Sequence, residues 1–135
     1  MILIGIDTGV HTGIAAWDTE SRSFIFIDTL KIHQAIKLVE LLNDEEDIKV
    51  FVEDARKRKW FGKAGREKLQ GAGSIKRDSK IWEDFLDDIK AKYELIPPRA
   101  NKTKLTAEHF GQITKYEKRT SEHSRDAAML VFRRF

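Results

Sequence analysis

Ile2-Leu3-Ile4-Gly5-Ile6-Asp7-Thr8-Gly9-Val10-His11-Thr12-Gly13-Ile14-Ala15-Ala16-Trp17 reads as two strands joined by a tight turn. Ile2 to Ile6 is a continuous apolar run, as expected of a strand covered on both faces. Gly13 to Trp17 is a second such run, and the glycines of Asp7–Gly13 suit a sharp reversal between them. Asp18 to Ser21 is a further turn-prone stretch, and Ser23 to Thr29, rich in Phe and Ile, is a third strand. Three short strands in succession form an antiparallel meander.

The pattern then changes period. Ile32, Ala35, Ile36, Val39 and Leu42 recur at helical spacing, and the polar run Asn43–Asp47 ends that helix. Ile48 to Val52 is again a pure apolar strand, ending at Glu53-Asp54. Residues 55–73 are basic and punctuated by Gly62, Gly65, Gly71 and Gly73. A second amphipathic helix is predicted from about Ser74 to Lys92, with Ile75, Trp82, Phe85, Leu86 and Ile89 as its apolar stripe. Tyr93 to Ile96 is a short strand stopped by Pro97-Pro98. Residues 99–120 read as a partly packed loop with one helical turn, and a last helix starts near Ser121, capped by Ser121 or Thr120. The expected fold is a single α/β domain over residues 1–135. Its five-stranded mixed sheet has three antiparallel strands and two parallel ones, flanked by helices.

Composition narrows the functional classes. The 135 residues contain no cysteine, which excludes a disulfide framework and a thiolate zinc site. Four histidines without a close pairing argue against structural zinc. The apolar runs fall short of a membrane span, and Met1–Gly5 lacks the order of a signal peptide, so a soluble cytoplasmic protein is expected. The net charge of +3 is unevenly distributed. Between residues 56 and 80, ten basic side chains face only Glu67 and Asp78, a local surplus of eight that leaves −5 for the rest. Arg56, Lys57, Arg58, Lys59, Lys63, Arg66, Lys76 and Arg77, with Trp60 and Phe61 among them, are the candidate contacts to a polyanion. The same segment also reads as a solvated surface loop.

Four residues mark a candidate active site. Asp7 ends the first strand and Glu53 the fourth; if these strands are parallel neighbours, both carboxylates emerge at the edge where α/β sheets hold ligands. His123 and Asp126, three apart on the last helix, share a face. Clustered carboxylates repel unless hard divalent cations neutralise them, which points to Mg²⁺ (two ions, with Mn²⁺ able to substitute). Paired ions of this kind serve phosphodiester hydrolysis. Taken singly, each residue also reads as a turn former, a strand terminus or a helix-start side chain.

The motifs resemble the RuvC family of Holliday-junction resolvases within the ribonuclease H superfamily, and the resemblance covers nearly the whole chain. Ile4-Gly5-Ile6-Asp7-Thr8-Gly9 followed by Thr12-Gly13-Ile14-Ala15 is similar to the family's first-strand motif, Val50-Phe51-Val52-Glu53 to its fourth-strand motif, and His123-Ser124-Arg125-Asp126-Ala127-Ala128 to its closing motif. Leu69-Gln70-Gly71-Ala72-Gly73 is similar to its glycine-bearing helix entry. The resemblance implies Asp7, Glu53 and Asp126 as metal ligands, with His123 a ligand or a positioner of the attacking water. It also implies a homodimer acting on branched DNA. The helix at 74–92, with Trp82, Phe85 and Ile89, is the candidate dimer face, or it packs on the sheet. The chain is shorter than typical bacterial members, as in a phage or mobile-element version. The Trp60-Phe61 pair, a junction wedge or a buried pair, stands later after the glutamate than the family's aromatic. Rival readings are the YqgF-like branch, which lacks a glutamate such as Glu53, a generic ribonuclease H or transposase-like nuclease, and a non-catalytic nucleic-acid-binding module. An actin-like nucleotide site at Asp7-Thr8-Gly9 lacks a second lobe.

Overall fold

In the computed structural model, which describes residues 1–57, 66–98 and 105–134, the apolar runs become the middle of one sheet. Strands β1 (Ile2–Asp7), β2 (His11–Asp18) and β3 (Ser23–Lys31) are followed by helix α1 (Ile32–Glu45), strand β4 (Ile48–Glu53) and a short 3₁₀ turn, Ala55–Lys57. Helix α2 (Arg66–Asp88), strand β5 (Lys92–Ile96), helix α3 (Ala107–Thr114) and helix α4 (Glu122–Met129) complete the order. The five strands lie in the order β3-β2-β1-β4-β5. β1–β2 and β2–β3 are antiparallel, while β1–β4 and β4–β5 are parallel. The expected mixed α/β sheet is therefore present. Among the described residues no helix is long and apolar enough to cross a membrane.

Strand parity sorts the side chains onto two unlike faces. Register pairs Ile4 with Val50 and Ile6 with Val52 and Ile14, so these residues share one face. There they meet Ala35 and Val39 of α1 and Trp82 and Leu86 of α2, all buried. The opposite face carries Leu3 beside Trp17 and Gly5 beside Ala15 and Phe51. It is covered by α3 and α4 through Phe110, Ala127, Ala128 and Val131.

Two local expectations are corrected, and one open alternative is met. Helix α2 begins at Arg66 rather than near Ser74 and ends at Asp88, with Lys92 already in β5. Gly71 and Gly73 lie inside it; a glycine costs a helix about 1 kcal/mol, too little to stop a long one. Residues 107–114, expected within a loop, form a two-turn helix. Thr106 caps it by accepting the His109 N–H at 3.1 Å, and it is anchored by buried Phe110. Trp82 and Leu86 are fully buried, and Phe85 and Ile89 pack on the same cluster, so this part of the apolar stripe of α2 packs on the sheet.

Candidate active site

Helix α4 reaches the sheet because two strand residues lack side chains. A Cβ on Gly5 would run into the carbonyl oxygen of Ala127, and one on Gly13 into that of His123, both deep inside van der Waals contact. Ala15, Ala127 and Ala128, all fully buried, extend this small-residue seam. Gly13 is the register partner of Asp7, so the seam sets the first turn of α4 beside the end of β1. The helix runs back along β1, with His123 near the Asp7 end and Val131 near Leu3.

The start of α4 is fastened at several points. Ser121 accepts the Ser124 N–H at 3.1 Å, and Ser124 Oγ returns the bond by accepting the Ser121 N–H at 2.8 Å. The Ser121 hydroxyl also bonds Thr29 Oγ1 on β3. Arg125 donates to the carbonyls of Leu105 and Thr120, both at 3.0 Å, tying the helix to the segment before α3. Across the site, Thr12 Oγ1 donates to the Gly9 carbonyl at 2.8 Å and closes the β1–β2 turn.

These constraints bring the four predicted residues to one end of one face. Asp7 and Glu53 each stand one residue beyond the paired Ile6 and Val52, at adjacent carboxyl ends. Asp7 is two residues from Gly5, and Glu53 two from Phe51, so both carboxylates share the face that α4 covers. His123 Nδ1 lies 3.1 Å from Asp7 Oδ2; toward an ionised carboxylate the ring nitrogen is the donor. Burial, and the negative charges of Glu53 and Asp126, raise the Asp7 carboxyl from 3.8 to about 6 against the opposing pull of His123. Asp7 thus senses both other acids. Among the described residues no three His, Cys, Asp or Glu side chains close tightly enough to cage an ion. The residues available as ligands are Asp7, Glu53, Asp126 and His123, an oxygen-rich set suited to a hard divalent cation.

An ion cluster that sequence reasoning misses follows immediately. Asp54 is 2% exposed, and Arg56 grips it with two bonds, Nε to Oδ1 at 2.9 Å and Nη2 to Oδ2 at 2.8 Å. Arg56 Nη1 also reaches Glu83 of α2 at 3.2 Å. Desolvation pushes the Asp54 carboxyl up, but the Arg56 bonds outweigh it and its pKa is lowered. Arg56, a predicted nucleic-acid contact, is thereby engaged as the bracket that holds the end of β4 to α2. The only signal in the sequence is the Asp-Ala-Arg spacing after an apolar strand. Lys57 is exposed and donates to the Leu95 carbonyl at 3.2 Å; Lys76 and Arg77 are exposed on α2. Arg58, Lys59, Trp60, Phe61 and Lys63 lie outside the described residues, as does the side chain of Arg66.

No protein-family model matches this chain, and no curated protein matches it significantly. What the structure shows is an α/β protein with a mixed five-stranded sheet, in which Asp7 bonds His123 and feels the charges of Glu53 and Asp126 at the carboxyl edge.

Proposed function

We propose that the protein is a Mg²⁺-dependent endonuclease of the RuvC-like kind within the ribonuclease H superfamily, cutting branched DNA such as four-way junctions. One observation carries this reading. Asp7, Glu53, His123 and Asp126 come from three separate elements and converge on one face, with Asp7 bonded to His123 and its carboxyl raised by burial and by the other two acids. The five-stranded mixed sheet and the basic segment that starts three residues after Glu53 support it further.

The donor set fits the proposed ions. Asp7, Glu53 and Asp126, with His123, would hold two Mg²⁺ (or Mn²⁺), which when bound supply water activation and charge neutralisation in an in-line phosphodiester hydrolysis. The chain's own groups do the rest. The Asp7 carboxylate fixes the His123 ring through Nδ1, leaving Nε2 either to complete the ligand set or to accept a hydrogen bond that positions the attacking water. Cations of the 56–80 segment screen the phosphates on approach. A homodimer belongs to this reading, so that two sites nick a junction symmetrically. With Trp82 in the core, the part of α2 left for a partner is its outer side, where Ile81 is 40% exposed.

The test is gel analysis of a synthetic four-way junction and a matched linear duplex, with and without Mg²⁺. The expected result is Mg²⁺-dependent cutting of the junction alone, with Asp7→Asn binding it as tightly as wild type and cutting it at least a thousandfold more slowly. Salt-sensitive binding without cutting in any divalent metal would leave a non-catalytic module. Equal cutting of both substrates would leave a generic nuclease.

A further inference from the structure

The far end of α4 carries a second set of groups that hydrolysis at Asp7 does not use. Trp17 near the end of β2, Phe24 near the start of β3, Tyr116 after α3 and Phe132 after α4 form one ring cluster. Phe24 and Phe132 stack with centroids 5.9 Å apart and planes at 13°. Trp17 meets Phe24 edge-on at 4.9 Å and Phe132 edge-on at 5.5 Å. Tyr116 meets Phe24 edge-on at 6.2 Å. Phe24, Tyr116 and Phe132 are each partly exposed. A cleft of about 340 Å³ opens against them, within the range of small-ligand sites.

The polar lining of this cleft has one sign. Arg22, Lys115 and Arg133 border it, and among the described residues no carboxylate does. All three are exposed, and none is held in an ion pair among the described residues. Their backbones share an unusual feature: φ is 55°, 62° and 55°, in the left-handed region that glycine or asparagine occupies at lower cost. Lys90, the fourth described non-glycine residue of this kind, ends α2 elsewhere, so the conformation itself is a turn device. What singles out the cleft is that three such turns each present a cation to it.

We propose that this cleft binds one unpaired nucleotide of a single-stranded segment, its base against the aromatic cluster and its neighbouring phosphates on Arg22, Lys115 and Arg133. Flat aromatic faces accept any base, and clustered cations select a polyanion. Trp17 pairs with Leu3 on the strand that ends at Asp7, on the same face, so the Trp17 wall of the cleft lies about 13 Å from Asp7 along the sheet. About four stacked nucleotides span that distance. A strand held here is thus within reach of the cutting site. That link rests on the nuclease reading, whereas binding itself does not.

The experiment measures fluorescence anisotropy of a labelled pentathymidylate in EDTA, so that no cutting occurs. Wild type is compared with the triple variant Arg22→Asn, Lys115→Asn and Arg133→Asn. Asparagine tolerates the left-handed backbone, so the variant should keep its melting temperature or gain a little. The expected result is at least tenfold weaker binding and a log–log salt slope smaller by about 2, at 0.7 for each lost phosphate contact. A folded triple variant with wild-type affinity and slope overturns the proposal. Thymidine monophosphate competing as well as the pentamer overturns a strand as the occupant, and hexaglutamate competing as well overturns base recognition. Asp7→Asn should bind the pentamer like wild type. Lost cleavage with retained binding therefore concerns the carboxylates alone, and lost binding with retained cleavage concerns this cleft alone.

Discussion

The two faces of the sheet are built on opposite rules. The face toward α1 and α2 is filled by large branched side chains, Ile4, Ile6, Ile14, Val50 and Val52 against Val39, Trp82 and Leu86. The face toward α4 is emptied where the helix crosses β1 and β2, leaving Gly5, Gly13 and Ala15 against Ala127 and Ala128. Bulk holds a helix at side-chain distance and yields to substitution. Its absence brings backbone to backbone, which fixes a helix to within a fraction of an ångström. The candidate site lies on the second face, where His123 and Asp126 must meet acids from two strands.

The contrast breaks most completely at the glycines. Gly13→Ala should cost at least about 3 kcal/mol, because its methyl meets the helix carbonyl and not a movable side chain. It should also abolish any cleavage by lifting His123 from Asp7. Ile6→Val on the other face should cost only about 1 kcal/mol and leave the site intact. Urea unfolding of both variants checks this; equal losses would mean that α4 is as tolerant as α1 and α2. The next largest effect is expected at the bracket behind the site. Arg56→Ala strands the buried Asp54 and should cost about 2–3 kcal/mol at neutral pH. Since the pKa of Asp54 is lowered in the fold, the stabilisation is present above the ordinary carboxylate range and fades as pH falls through the folded value. Wild type and Arg56→Ala should therefore converge in acid. A gap that persists at pH 2 would assign the loss to packing.

How much of this is legible in the sequence follows from the same division. The buried strands β1 and β4 announce themselves as apolar runs, and α1 and the last helix as periodic ones, because burial on a face leaves a pattern in type. The four candidate residues can be picked out because strand ends and an i, i+3 pair are local features. Close approach leaves only absences. Gly5 and Gly13 read equally well as turn or strand-weakening residues until α4 lies across them. Helix α3 is obscured by its Gly111 and by a single buried anchor, Phe110. The early start of α2 is obscured by Gly71 and Gly73, which in isolation are helix breakers. The Arg56 bracket is hidden inside a basic run, where one arginine looks like its neighbours.

The site face carries a cost that the filled face does not. The Asp7 carboxyl, at about 6 in the fold against 3.8 ordinarily, disfavours its own charge by about 3 kcal/mol once ionised. Its protonated form is the one the fold prefers, so this contribution to stability is present below pH 4 and is lost as pH rises through 6. In EDTA at pH 8, Asp7→Asn should thus be more stable than wild type by about 2 kcal/mol, the His123 bond being partly forfeited. At pH 4 the two should match. Mg²⁺ should close the pH 8 gap by stabilising wild type alone. Thermal melts at the two pH values, with and without Mg²⁺, check each part, and a Mg²⁺ effect equal in both proteins would detach the ion from Asp7.

The smallest expected effect tests whether the seam or the cap positions α4. Ser121→Ala removes the acceptor for the Ser124 N–H and the link to Thr29 on β3, and should cost about 1 kcal/mol. With the glycine seam intact the helix body stays seated, so only its first turn frays. His123 lies in that turn and Asp126 one turn further in. Ser121→Ala should therefore reduce cleavage several-fold and leave the Asp7 carboxyl raised, because burial and the Glu53 and Asp126 charges persist while the opposing His123 bond weakens. NMR titration of Asp7 in the metal-free protein reads this directly. An upward move of its pKa assigns the cap to His123 alone, and a fall toward 3.8 would mean that the whole helix had lifted and that the seam does not hold it.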